Sequence, residues 1–242
     1  MIMVASQGGG DYENLPVGRY RAACYRIIDM GTHKRSYQDQ EPKEKREVRL
    51  YWEVSHQLQV DDAGAEEWGA IQMADGRPFS TSKKYTASLH ENATLHKHLK
   101  SWRGRSFTED ELKSFDLAKV LGVTCDIEIV EYGTEGKTAV DSIYKPDGGA
   151  KVIETINETQ DFDVEVYCQE WTGQSSAESK KMCDIFETLP PWLKEEISTS
   201  KEVTTAQQNA STPAQPAAPT APQQGGGLAD LSSNDKDEDI PF

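Results

Sequence analysis

The sequence predicts a mainly β fold, and three observations predict it. Apolar residues alternate with polar ones in several short runs, helix-start signals cluster in one central stretch, and a glycine-bracketed turn joins two later alternating runs. The chain has 242 residues, 36% hydrophobic and 28% charged. Its last forty or so residues hold almost no core formers, so one domain of roughly 150 to 190 residues is the expectation.

Residues 1–15, with Gly8-Gly9-Gly10, show no periodicity and read as a flexible arm. From Val17 to Met30 the residues are β-prone. Tyr20, Ala22 and Cys24 alternate until the pattern slips near Tyr25 and Arg26, which predicts a long strand with a bulge. Gly31 to Glu47 is polar and charge-rich without an apolar stripe, and reads as a mobile basic loop. Val48, Leu50, Trp52 and Val54 then repeat with period two as the inward face of a second strand, leaving Arg49, Tyr51, Glu53 and Ser55 outward.

Asp61 to Gly76 reads as a loop and Arg77 to Ala87 as a third strand, whose Phe79, Thr81, Lys83 and Tyr85 mix aromatic and cationic groups. Ser88-Leu-His-Glu91 has the spacing of a capping box, and Leu95, Leu99 and Trp102 form the buried stripe of the helix after it. Gly104 stops that helix. A second box at Thr108 to Glu111 opens a short helix, with Leu112 and Phe115 placed to pack. Val123, Cys125, Ile127 and Ile129 alternate in a fourth strand, and Tyr132 to Gly136 turns into a fifth, from Lys137 to Tyr144.

Three strands, a helical segment and two strands match an oligonucleotide/oligosaccharide-binding (OB) fold, a five-stranded Greek-key barrel with a helix between strands three and four. That domain spans 16–150. Residues 151–200 read as an appendage packing on the barrel: a strand at Asp163 to Tyr167, a helix at Ala177 to Glu187 with Met182, Ile185 and Phe186 inward, and a last helix docking through Trp192, Leu193 and Ile197. Residues 201–233 read as a disordered Ala/Pro/Gln/Gly linker with an r.m.s. span of about 30 to 35 Å. Residues 234–242 form an acidic tip ending in Ile240-Pro241-Phe242. Such a tip cannot build a core and suits docking on another protein, through Asp237, Glu238, Asp239, Ile240, Pro241 and Phe242.

The net charge of −15 is unevenly spread. Arg19 to Arg105 holds 16 Lys or Arg against 12 Asp or Glu, whereas Ser106 to Ser200 holds 8 against 21. A basic half therefore precedes an acidic one. Single strands are held by a positive groove and by rings that take unpaired bases. On an OB barrel the second and third strands and the loop between the first two supply that groove. Here those elements carry Arg49, Tyr51, Lys83 and Tyr85, with Lys34, Arg35 and Tyr37 in the loop and Arg19 and Arg21 flanking.

The tip Asp237-Glu-Asp-Ile-Pro-Phe242, after its Gln/Pro/Gly-rich linker, resembles the acidic, Phe-terminated end of bacterial and bacteriophage single-stranded DNA-binding proteins. More loosely, Val17-Gly-Arg-Tyr20, Tyr85-Thr-Ala-Ser-Leu-His90, Ser101-Trp-Arg-Gly-Arg105 and Leu121-Gly122 are similar to phage-encoded members. The resemblance implies a non-catalytic protein that coats single-stranded DNA. It also implies a tip that recruits replication, recombination or repair enzymes. Self-association is compatible with it.

Enzyme chemistry finds little footing. Gly136-Lys137-Thr138 lacks the first P-loop glycine, since Glu131 stands there. Asp126 with Glu135 and Lys137 is a faint nuclease pattern, with Glu135 in a glycine turn. His96 and His98, two apart on a helix, face different ways. Cys24, Cys125, Cys168 and Cys183 form no CxxC pair, so no metal, disulfide or cofactor is expected. No apolar run of 18 residues and no signal segment are present, which makes a soluble, cytoplasmic protein without a membrane partner the expectation. An acidic adaptor or DNA mimic and a weak metal-dependent nuclease are the competing classes.

Overall fold

The computed structural model describes residues 15–36, 41–133, 137–146 and 153–211. They form a mainly β body of seven strands and six α-helices. Strands β1 (Gly18–Arg35) and β2 (Lys43–Val60) are antiparallel along nearly their whole length, from Tyr20 opposite Gln57 to Arg35 opposite Lys43. The stretch expected as a basic loop is therefore largely a hairpin. Lys34 stands opposite Glu44 in the ladder, and paired backbone needs no apolar stripe. Tyr25 is an extra residue in β1, because Cys24 faces Trp52 and Arg26 faces Tyr51. This bulge resets the phase, so Ile27 rejoins the face of Ala22 and Cys24 while Arg26 and Ile28 turn to the opposite one.

Strand β3 (Glu66–Ala70) lies within the expected loop and pairs with the end of β2, whereas β4 (Phe79–Thr86) pairs with its middle, Glu47 to Val54. On the other side β1 pairs with β5 (Thr124–Tyr132), and β5 with β6 (Lys137–Tyr144). The order is β3-β2-β1-β5-β6, with β4 on β2 and the short β7 (Gln160–Phe162) parallel to β1. No ladder joins β4 to β6 among the described residues, so the sheet is open where a closed barrel was expected. Helix α1 (Thr94–Arg103) lies against both edges, and its Leu95, Leu99 and Trp102 occupy the concave side. One side-chain bond spans the seam, from Lys83 Nζ to the Val140 carbonyl.

Two local expectations fail at helix starts. Ser88 accepts from His90 N instead of capping, and α1 begins at Thr94 after an uncapped Ala93. Asp163, expected in a strand, caps α3 (Val164–Cys168) by accepting from Glu165 N and Val166 N. Thr108 does form its box with Glu111, opening α2 (Glu109–Lys113).

Two cores result. One joins Trp52, Leu50, Tyr20, Ile127 and α1 on the concave face. The other covers the outer face, where Ile28 and Met30 meet Phe162, α3, α4 (Ala177–Thr188), α5 (Pro191–Ser198) and α6 (Lys201–Ser211). Helix α6 replaces the first eleven residues of the expected linker; Val203 and Ala206 are buried, and Glu202 accepts from Thr32 N and Oγ1 at 2.7 and 2.6 Å. Residues 212–242, including the tip, lie outside the described residues. No helix is long and apolar enough to cross a membrane among the described residues.

Candidate nucleic-acid interface

The expected binding residues divide between the two faces of the sheet. Directly paired residues share a face, and Arg49 pairs with Lys84 and Tyr51 with Ser82, whereas Lys83 pairs with Leu50 and Tyr85 with Val48. Lys83 and Tyr85 therefore belong to the concave side, contrary to the expectation of one shared groove. Tyr85 is 3% exposed, and its hydroxyl lies 3.0 Å from His98 Nδ1. Burial, then the nearby Lys83 charge, pushes His98 down to about 4.

Other expected cations are already engaged. Arg21 is buried between the Trp68 ring, 4.0 Å from its guanidinium carbon, and Asp126, which it binds at 2.9 and 3.3 Å. Arg19 lies 3.6 Å from Asp126 and over Tyr144. Arg35 makes two bonds to Glu47 and one to Glu196, and Lys84 joins the same carboxylates. Burial alone would raise Glu47 and Glu196, but these hydrogen bonds and charges hold both below the usual carboxylate range. This four-group cluster ties α5 to the β1–β2 hairpin. Lys34 is exposed on that hairpin, and Tyr37 lies outside the described residues.

What the structure does bring together is a patch on the outer face. One register row runs Gln160, Arg26, Tyr51, Ser82 across four strands, and the next contains Ile28, Arg49 and Lys84. Arg26 lies 5.6 Å from the Tyr25 ring and 6.0 Å from the Tyr51 ring, and those rings meet edge-on at 6.3 Å. Arg49 lies 5.0 Å from the Trp192 ring and donates to Ser82 Oγ at 3.1 Å. Trp192 was expected to dock inward. Leu193 and Ile197 do so, and Trp192, one residue off their stripe, is left 49% exposed.

Neither Arg26 nor Arg49 pairs with a carboxylate among the described residues, and the Nε of each is buried without an acceptor. A desolvated donor left unpaired costs about 1 to 3 kcal/mol. Two guanidinium groups held on aromatic rings, with polar Gln160 and Ser82 beside them, can take phosphate oxygens while Trp192 and Tyr51 offer apolar surface to bases. Sequence reasoning missed Arg26, Gln160 and Trp192. Among the described residues no three-residue group of His, Cys, Asp and Glu could hold a metal ion.

No family model matches the chain, and no curated protein matches it either.

Proposed function

We propose that this chain binds single-stranded DNA without strong sequence preference, through the outer-face patch of Arg26, Arg49, Tyr51 and Trp192. The reading extends to coating and protecting exposed strands during replication, recombination or repair, in the manner of phage-type single-stranded DNA-binding proteins. In it, the acidic tip Asp237 to Phe242 recruits the enzymes that act on the coated strand. The observation that carries the reading is the pair of arginines without carboxylate partners among the described residues, Arg26 beside the Tyr25 and Tyr51 rings and Arg49 beside the Trp192 ring. The strand order supports it too. Without β3 and β7 it is β4-β2-β1-β5-β6 with a helix between β4 and β5, an OB arrangement opened at one seam.

The test is fluorescence anisotropy with labelled oligo(dT) and a matched duplex over a salt titration. The single strand is expected to win, with log affinity falling against log salt by about 0.7 per phosphate contact. Arg26→Ala with Arg49→Ala should flatten that slope by about 1.4, and Trp192→Ala should cost about 1 to 3 kcal/mol. Equal affinity for duplex, or an unchanged slope in the double variant, would remove the proposal. Truncation before Asn234 should leave oligo(dT) binding in place while abolishing capture of partner enzymes.

A further inference from the structure

The end of α1 and the segment after it border two open recesses that share Arg105 and that the outer-face patch does not use. The first, about 460 Å³, is lined by Lys97, Lys100, Ser101, Gly104, Arg105 and Ser106. The second, about 300 Å³, has an apolar side of Phe115, Val120 and Val123 and a polar side of Arg103, Arg105, Lys119 and Glu111. Arg105 lines both.

Positive charge concentrates here, at the end of the basic half of an acidic chain. Five cations surround one carboxylate in a chain whose net charge is −15. Glu111 is committed to Arg103, Arg105 and the Thr108 amide. Lys97 and Lys100 have no ion-pair partner among the described residues and are exposed. Cations at a helix C-terminus serve first to offset its dipole, but that dipole amounts to about half a negative charge. The excess is several times larger. Gly104, at φ +65°, closes the helix in the left-handed region that favours glycine, and a Cβ there would lie 2.6 Å from Cδ of a fourth lysine, Lys145.

The second recess has the opposite character on one wall. Val123 is 41% exposed, although it sits beside buried Val120, and Phe115 carries Arg103 and Lys119 over its ring. A basic, hydroxyl-bearing compartment thus opens next to an apolar one at the lower end of the volume range of small-ligand sites, roughly 300 to 1,000 Å³.

We propose that the paired recesses hold one nucleotide unit, its phosphate among Lys97, Lys100, Ser101 and Arg105 and its base against Phe115 and Val123. That unit is either a free nucleoside monophosphate or one residue of a single strand. The site is separate from the outer-face patch, and neither depends on the other.

Calorimetry of the full chain with thymidine 5′-monophosphate, thymidine and inorganic phosphate, and anisotropy with oligo(dT), distinguish the sources. The variants are Lys97→Glu with Lys100→Glu, and Val123→Asp, all at exposed positions, with an unchanged thermal midpoint certifying the fold. A free-nucleotide site binds the monophosphate at least about tenfold tighter than either fragment. Both variants lose that advantage, whereas Arg26→Ala with Arg49→Ala keeps it. A strand subsite gives no heat with the monophosphate, but both variants weaken oligo(dT), the lysine pair flattening the salt slope by about 1.4. Loss in the lysine variant with full binding in Val123→Asp would leave only a charged surface and overturn the proposal, as would wild-type binding of all ligands by both variants.

Discussion

Tyr51 and Tyr85 lie on neighbouring strands and differ in the face they occupy, so truncating each to alanine separates binding from folding. Tyr85 is 3% exposed in the concave core, against Val48 in register and with its hydroxyl at His98. An aromatic side chain buries about 150 to 250 Å², which at about 25 cal/mol per Å² is roughly 4 to 6 kcal/mol. The methyl that alanine retains lowers this, and the stranded His98 nitrogen raises it again. A loss of about 3 to 5 kcal/mol is expected. For a body of this size that is on the order of 10 °C in thermal midpoint. Tyr51 is half-buried at the border of the outer core, beneath Arg26. Its truncation should cost less stability and weaken oligo(dT) binding by about 1 to 3 kcal/mol. Thermal melts and anisotropy on both variants decide the matter. If Tyr85→Ala melted with the wild type and bound DNA poorly, while Tyr51→Ala did neither, the assignment of faces would be refuted.

Two further outcomes follow from single contacts. At Gly31, φ is +79° and an added Cβ would lie 2.6 Å from Ser200 Cβ; Gly31→Ala should cost about 1 to 3 kcal/mol and expose α6 to limited proteolysis, with unchanged protection counting against this packing. His98 is held near 4, below its unfolded value, so its neutral form stabilises the fold at pH 7 and that contribution is lost as pH falls from 6.5 toward 4. Allowing for solvent screening of a half-buried group, urea midpoints should report about 1 kcal/mol lost between pH 6.5 and 5, a loss absent from His98→Gln.

Period two in β2 was legible residue by residue: Val48, Leu50, Trp52 and Val54 are all buried. The same period was visible in β4, yet its face was misread. Phe79, Thr81, Lys83 and Tyr85 look like a binding surface because two are polar and one is cationic. They line the core because Tyr85 finds His98 on α1 and Lys83 reaches the Val140 carbonyl at the open seam, partners that lie on other elements and that the strand's own pattern does not reveal. Arg26 was readable in principle. The alternation slips at Tyr25, and following its phase forward puts Arg26 beside Tyr51. Trp192 was equally readable, since Leu193 and Ile197 at i, i+4 leave their N-terminal neighbour off the stripe. Arg19, Arg21 and Arg35 show the opposite limit: their charge is legible, but not that Asp126, Glu47 and Glu196 spend it.

The appendage therefore changes meaning. Sequence alone makes residues 151–200 a cover for the barrel's exterior, and Ile28, Met30 and Phe162 do need such a cover. But α5 also carries Trp192 to Arg49, and β7 carries Gln160 to Arg26, from positions more than a hundred residues downstream. The Arg35–Glu47–Lys84–Glu196 cluster holds α5 at this height on the sheet. A chain ending at β6 would keep Arg26, Arg49 and Tyr51 but lose the exposed ring and the polar edge that frame them. The patch is a product of the late helices as much as of the early strands, which is why reading the strands by themselves located only half of it.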